Sequence, residues 1–242
     1  LPVLANVLLA TDEGRLRLSA TNLELGITCW IPAHIDEEGS ITVPARTIVD
    51  LVGTFPPDNV NLSLNERTQT LNLVCNSSVH DVKGIDAQDF PPMPVIDPEE
   101  GFELNLTDFK DMIQQVAFAA STDEARPVLQ GVKMDVVENE ITLAATDGFR
   151  ISVRKETLSS PVPQDISIII PARAMNELAR IVSDVDKSVH MIVPSGRGQV
   201  IFRTKDVELT SQLIEGNFPD FEQIIPTMHN TRTVVSSSAF LK

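Results

Sequence analysis

The sequence repeats itself at a spacing of about half its length. Pro2-Val3-Leu4 returns as Pro127-Val128-Leu129, and Ala20-Thr21-Asn22 returns as Ala145-Thr146-Asp147, both 125 residues on. Pro44-Ala45-Arg46 and Pro171-Ala172-Arg173 lie 127 apart, and Phe90-Pro91 and Phe218-Pro219 lie 128 apart. Four short matches in one order and near one spacing are hard to obtain by chance. A chain of 242 residues could form one large or two ordinary domains. The repeat decides for two copies of one unit in tandem.

Hydropathy patterning says what that unit contains. In the first copy an apolar run over residues 3–10 precedes a turn at Thr11-Asp12-Glu13-Gly14, and Arg15 to Ser19 then alternates with the period of a half-buried strand. Further strands are expected at 25–31 and 40–43. Pro44 opens a helix of about two turns, since its missing N–H would be unpaired there anyway. That helix puts Ile48, Leu51 and Val52 on one face and Arg46, Thr47 and Asp50 on the other. Alternating strands follow at 60–64, 71–75 and 79–84, and the proline-rich stretch from Phe90 to Pro98 reads as a linker.

The second copy begins with a strand at 102–106 and a helix with Thr107 as its expected N-cap. Phe109, Met112, Ile113, Val116, Ala117 and Ala120 recur at helical spacing, a strong amphipathic signal. Strands are expected at 128–137, 141–146 and 149–155. A second helix opens at Pro171, with Met175, Leu178, Ala179 and Val182 inward and Arg173, Asn176, Glu177 and Arg180 outward. Strands at 188–193, 198–203 and 206–214 close the copy, and residues 216–226 leave it. Short, hairpin-like connections between most strands imply antiparallel sheets and an α+β class. The copy itself reads as two βαβββ halves. Thr233 to Lys242 resembles Phe102 to Lys110, so the expected division is 1–98 for a first domain truncated at its start, 99–226 for a complete second one and 227–242 for the beginning of a third.

Chemistry is sparse. His34, His80, His190 and His229 form no metal-ligand spacing, so no metal is expected and no cofactor motif is present. There is no G-x-S-x-G elbow. Ser195-Gly196-Arg197-Gly198 lies between strand patterns rather than before a helix, which makes it a hairpin turn and not a phosphate cradle. Asp147-Gly148 likewise reads as turn chemistry. Cys29 and Cys75 lack a CxxC spacing and read as buried thiols in a reducing, cytoplasmic setting. The net charge of −15 argues against a broad phosphate-binding face. Residues alone therefore support a repeated α+β binding module.

The segments LPVLANVLL (1–9), ATNLELGI (20–27), VPAR (43–46), RPVLQGV (126–132), ATDGFRIS (145–152) and LIEGNFPDFEQIIP (213–226) closely resemble those of the bacterial sliding clamps, the beta subunits of DNA polymerase III. They occur in the family order and span nearly the whole chain. The resemblance implies a DNA-clamp fold of three similar domains per subunit, closed by a head-to-tail homodimer into a ring around duplex DNA, with helices lining the hole and sheets outside. It implies a processivity factor without catalytic activity, docking the polymerase, the clamp loader and repair proteins. A ring holds DNA by topology, which reconciles that role with the negative charge. Arg46, Lys110, Arg173 and Arg180 on the polar helix faces become candidate DNA contacts, although Asp50, Asp111 and Glu177 share those faces.

Carried over by motif position, the partner-peptide pocket would use Leu129, Thr146, Gly148, Phe149, Arg150, Ile151, Pro219 and Ile224. Phe149 stands where the family often has histidine, which makes the pocket more apolar, and Gln223 stands where a basic residue can occur. Two other readings use the same residues: a repeated interaction scaffold unrelated to DNA, or a hydrolase with Asp147 or a histidine in a cleft between the copies. Only the second copy carries Gly148-Phe149-Arg150; the first reads Leu23-Glu24-Leu25 at that place.

Overall fold

The computed structural model describes residues 1–94, 100–183, 185–223, 225–226 and 228–241. The first copy runs β1 (Asn6–Asp12), β2 (Arg15–Thr21), β3 (Leu25–Pro32), β4 (Ser40–Pro44), α1 (Ala45–Val52), β5 (Asn61–Asn65), β6 (Thr70–Cys75) and β7 (Ser78–Lys83). The second runs β8 (Phe102–Asn105), α2 (Leu106–Val116), β9 (Gly131–Val137), β10 (Glu140–Thr146), β11 (Ile151–Thr157), β12 (Ile166–Pro171), α3 (Ala172–Ile181), β13 (Ser188–Ile192), β14 (Gln199–Arg203) and β15 (Val207–Gln212). From β8 to β15 the order is strand, helix and three strands, twice over.

The sequence repeat is a structural one. Strands β4-β1-β2-β3 adjoin in the same order as β12-β9-β10-β11, and β5-β6-β7 matches β13-β14-β15. Pro2–Ala5 and Pro127–Gln130 form equivalent 3-10 turns, each with its proline at the first position. Every ladder between these strands is antiparallel. The copies meet where β15 pairs with β3, and this joins their sheets into one of eight strands, β4-β1-β2-β3-β15-β14-β13-β8.

Among the described residues two larger cores pack against the sheets, beside a small cluster of Val3, Leu8 and Phe90. The larger gathers Phe109, Met112, Ile113 and Val116 of α2, Met175 and Leu178 of α3, and strand residues such as Leu143, Val189 and Phe202. Leu25 and Ile27 of β3 pack against it from the first copy. The smaller is built from Leu9, Ile41, Val43, Ile48, Leu71, Leu73 and Val82. No helix of the described residues is long and apolar enough to cross a membrane.

Several local expectations need correction. The N-cap of α2 is Asn105, whose side chain accepts from the Asp108 N–H, and Thr107 lies inside the first turn. The helix becomes a 3-10 turn at Ala117–Ala119, so the apolar period outlasts the α-helix. Residues 127–130 are a turn and not strand. On α1, Ile48 is buried but Val52 is 45% exposed: α2 packs beside α3, whereas α1 meets only β4 and β1 among elements with substantial contact. Cys75 is buried, but Cys29 is only partly so; both thiols are free, and burial pushes the Cys29 thiol up. Residues 231–236 form no strand, and α4 (Ser237–Phe240) is a single turn. Residues 90–94 of the expected linker form no helix or strand, although Phe90 is buried against Val3 and Leu8; residues 95–99 lie outside the described residues.

Candidate functional site

The β10–β11 hairpin organises the site. Thr146, buried at the end of β10, donates its hydroxyl to the Arg150 carbonyl at 2.7 Å and accepts the Gly148 N–H at 3.0 Å. One carboxylate oxygen of Asp147 accepts the N–H groups of Phe149 and Arg150 at 2.9 and 3.0 Å; the other takes the Arg150 Nε–H at 3.1 Å. Those backbone N–H groups first, and then the guanidinium, hold the Asp147 carboxyl below its ordinary range. Asp147 therefore spends its oxygens on shaping the loop. Gly148 has φ +93, the left-handed region in which a Cβ is strained, and a Cβ there would also come within 3.3 Å of the Arg126 guanidinium.

Phe149 is thrust outward by this turn and is 95% exposed. Arg150 folds back. Its Nη2 donates to the Phe118 carbonyl at 2.9 Å, and its guanidinium lies 5.4 Å from the Phe118 ring centroid. From the other side Arg126 donates to the Asp147 carbonyl at 3.2 Å and to the Asp123 carboxylate at 3.0 Å. Ser152 ties β11 to the end of α2 through the Gln115 carbonyl at 2.6 Å. The result is a rigid platform that presents the exposed rings of Phe149 and Phe118 beside two guanidinium groups. An apolar surface on a braced hairpin, with each of its guanidinium groups paired to a carboxylate, can bind a peptide.

The expected pocket residues are placed unequally. Thr146, Gly148, Phe149, Arg150 and Ile151 share the hairpin, and Ile151 faces Thr146 across the ladder. Leu129 is half-buried in the 127–130 turn, which is tied to the segment after the 117–119 turn through the Ser121 N–H and the Leu129 carbonyl. The exit segment crosses that turn, with Gly216 so close to Val128 that a Cβ would sit 2.7 Å from its methyl. Pro219 is exposed further along it, and Ile224 lies outside the described residues. Phe118 and Arg126 were missed. Phe118 falls off the apolar period of α2, so an aromatic on the wrong face was the available signal; Arg126 had only its place beside Pro127.

The candidate DNA contacts are on helix surfaces. Arg46 is exposed and 3.9 Å from Asp50, while Arg180 is exposed and pairs with Glu177 at 2.6 Å. Arg173 is exposed on α3. Lys110 is half-buried in a cleft of about 410 Å³ that it shares with Leu106, Thr107, Asp111, Gln114 and Asp186. The 195–198 stretch is the β13–β14 hairpin, and no cluster of three or more metal-ligating side chains occurs among the described residues.

Comparison with known proteins identifies the family. The N-terminal domain of the DNA polymerase III beta subunit matches residues 1–94, and the central domain of that subunit matches residues 103–220. A beta sliding clamp of Staphylococcus epidermidis is 32% identical over 248 residues, covering 99% of this chain and 65% of that protein. One from Synechococcus elongatus is 33% identical over 244 residues, covering 99% and 64%. Among solved structures, the DNA polymerase sliding clamp of Bacillus subtilis superposes with a TM-score of 0.88 at 27% identity, over 94% of this chain and 61% of that one. The chain thus spans just under two thirds of the length of these relatives.

Proposed function

Because this chain belongs to the DNA polymerase III beta-subunit family, we propose that it is part of a sliding clamp: a non-catalytic processivity factor that encircles duplex DNA in the cytoplasm and docks replication and repair proteins. The observation that carries the reading is the polarity of the sheet edges. The seam joins β15 of the second copy to β3 of the first. The equivalents of those strands, β7 and β11, pair on one side only among the described residues. Each end of the two-copy unit therefore offers the edge complementary to the other end. A head-to-tail contact of this kind makes a ring where its rotation closes and an open filament where it does not, and the family's ring is the closed case. Successive units are 1–98, 99–226 and a third starting at 227, and the homodimer of complete subunits closes the ring. The repeated element order, and the family matches over 1–94 and 103–220, support the first two divisions.

Topological holding explains how a chain of net charge −15 serves DNA. Arg46, Lys110, Arg173 and Arg180 face the hole and make sequence-independent phosphate contacts weak enough to allow sliding. The Phe149 platform, with Leu129, Thr146, Gly148, Arg150, Ile151, Pro219 and Ile224, is the second-unit side of the pocket for peptides from the polymerase, the clamp loader and repair proteins. Apolar anchors there bury against Phe149 and Leu129, and Gly148 lets a backbone approach.

The test is retention on DNA. Rings assembled from complete subunits and loaded on circular duplex should stay bound through gel filtration at moderate salt and be lost once a restriction enzyme linearises the circle. Equal retention on circular and linear DNA would show direct binding and sink the ring.

A further inference from the structure

Asp147 and Gly148 form the chain's one Asp-Gly pair, and no Asn-Gly pair occurs in it. Asp-Gly is the aspartyl sequence most prone to isomerise, because glycine has no side chain to crowd the attacking nitrogen. The Gly148 N–H and the protonated Asp147 carboxyl condense: the nitrogen bonds to Cγ, the Cγ–OH bond breaks, and the amide proton and the hydroxyl leave as water. Solvent water then opens the succinimide ring. Attack at Cγ returns aspartate. Attack at the main-chain carbonyl carbon leaves isoaspartate, with the chain routed through Cβ and Cγ. One water leaves and one returns, so no other reactant is needed.

The hairpin restrains every participant in that reaction. Oδ1 of Asp147 accepts the N–H groups of Phe149 and Arg150 at 2.9 and 3.0 Å, and Oδ2 accepts the Arg150 Nε–H at 3.1 Å. Both oxygens are thus held as those of the anion, which has no hydroxyl to lose. The same donors, the two backbone N–H groups first, keep the carboxyl below its ordinary range and deplete the protonated form. The nucleophile is tied as well. The Gly148 N–H donates to the Thr146 hydroxyl at 3.0 Å, whose own proton goes to the Arg150 carbonyl at 2.7 Å. At the other end of the same peptide plane, the Asp147 carbonyl accepts from Arg126 Nη1 at 3.2 Å. Ring closure requires that plane to turn until its nitrogen faces Cγ, and the plane is pinned at both ends.

The first copy separates the restraints that shape the turn from those that go with the labile pair. Its hairpin has the same internal bonds: Asn22 Oδ1 accepts the N–H groups of Glu24 and Leu25 at 3.1 and 2.8 Å, while the Thr21 hydroxyl accepts the Leu23 N–H at 3.0 Å and donates to the Leu25 carbonyl at 3.1 Å. Leu23 has φ 78 where Gly148 has φ +93, so the turn admits a leucine, although a strained one. A side chain there crowds the nitrogen that follows Asn22. The guanidinium tethers are missing: Leu1 and Leu25 stand where Arg126 and Arg150 do. Both arginines come only with the Asp-Gly pair.

We propose that Asp147–Gly148 is an isoaspartate-forming site held silent by Arg126 and Arg150, which pin its peptide plane and its carboxylate. Isomerisation inserts a methylene into the main chain at the tip of the hairpin and takes the Oδ1 acceptor from Phe149 and Arg150, so the platform loses its brace. The arginines therefore protect the loop chemically as well as shaping it. This chemistry stands whether or not the hairpin docks a peptide.

Ageing the intact chain at physiological temperature and neutral pH, folded or unfolded in guanidinium chloride, tests it. Enzymatic methylation of the isoaspartyl α-carboxyl gives the yield, and electron-transfer mass spectrometry fixes the position. The folded chain should isomerise at Asp147 at least about tenfold more slowly than the unfolded one. Arg126→Ala and Arg150→Ala should each raise the folded rate while β9 and β10 amides keep their protection from exchange. Together they should bring it to within about threefold of the unfolded rate, because charge-assisted hydrogen bonds that close the loop are gone. If Arg150→Ala unfolds the second copy, Arg126→Ala decides, since Arg126 touches no oxygen of the Asp147 carboxylate, and an unchanged rate in it overturns the safeguard. Equal rates in the folded and unfolded wild-type chain overturn it too, as does a folded double variant that isomerises as slowly as wild type.

Discussion

At the scale of single residues, the hairpin assigns opposite tasks to neighbours. Asp147 and Thr146 turn their oxygens inward to five local groups and Arg150 anchors on Phe118, which frees Phe149 to stand almost fully in solvent. A phenylalanine kept in water by a braced loop contributes nothing to the core, so its removal separates binding from stability. Phe149→Ala should leave the thermal unfolding free energy within about 0.5 kcal/mol, as for other surface changes. It should weaken a polymerase-tail peptide by at least about 1 kcal/mol, as for an interface anchor. Fluorescence polarisation with a labelled peptide, beside a melt of the same samples, reads both; unchanged affinity removes Phe149 from the pocket. The glycine, aromatic and arginine of this loop were legible in the sequence because they break the repeat. Phe118 and Arg126 were not, since what gives them a role is proximity across residues distant in the chain, Phe118 to Arg150 and Arg126 to Asp147.

At the scale of elements, the helices show what hydropathy resolves and what it leaves open. The buried face of α2 follows directly from the spacing of Phe109, Met112, Ile113 and Val116. Its first residue does not, because Asn105 and Thr107 are both competent caps and the choice depends on where β8 releases the chain. Ser188 pairs with Asn105, and Leu106 donates to the Lys187 carbonyl, so the ladder ends at Asn105 and the helix starts there. Asn105→Ala should therefore cost about 1 kcal/mol in urea denaturation, the usual worth of a side-chain cap. Thr107→Ala, in the exposed first turn, should cost less than about 0.5 kcal/mol. The reverse order would return the cap to Thr107. Similarly, period alone places Val52 inward, whereas among the described residues α1 has no packed helix such as α3 has in α2, and its flank stays wet.

At the scale of the whole molecule, the repeat made the tandem architecture and the antiparallel class readable, while the joint between copies was invisible. Nothing in the spacing of Pro2-Val3-Leu4 and Pro127-Val128-Leu129 says that β3 will adjoin β15. That contact pairs residues about 180 apart, Cys29 with Val207, and follows from edge complementarity rather than local pattern. The same scale governs how the molecule would hold DNA. If the helices line a hole, their cations set the electrostatic contact, and each phosphate neutralised contributes about −0.9 to the slope of log K against log salt. Four candidates per chain bound that slope at roughly −3.6. Arg46 and Arg180 already have carboxylates within 4 Å, Asp50 at 3.9 Å and Glu177 at 2.6 Å, and must share or break those pairs to reach a phosphate. Arg173, exposed on α3, then contributes a larger share than either, and the expected slope per chain falls short of that bound. A short linear duplex removes topology from the measurement, so titrating its binding from 20 to about 200 mM salt isolates this contribution. Arg173→Ala should flatten the slope by about 0.9, and Arg180→Ala by clearly less. Slopes well beyond −4, or equal losses from both variants, would mean that DNA is held by a surface other than these helix faces.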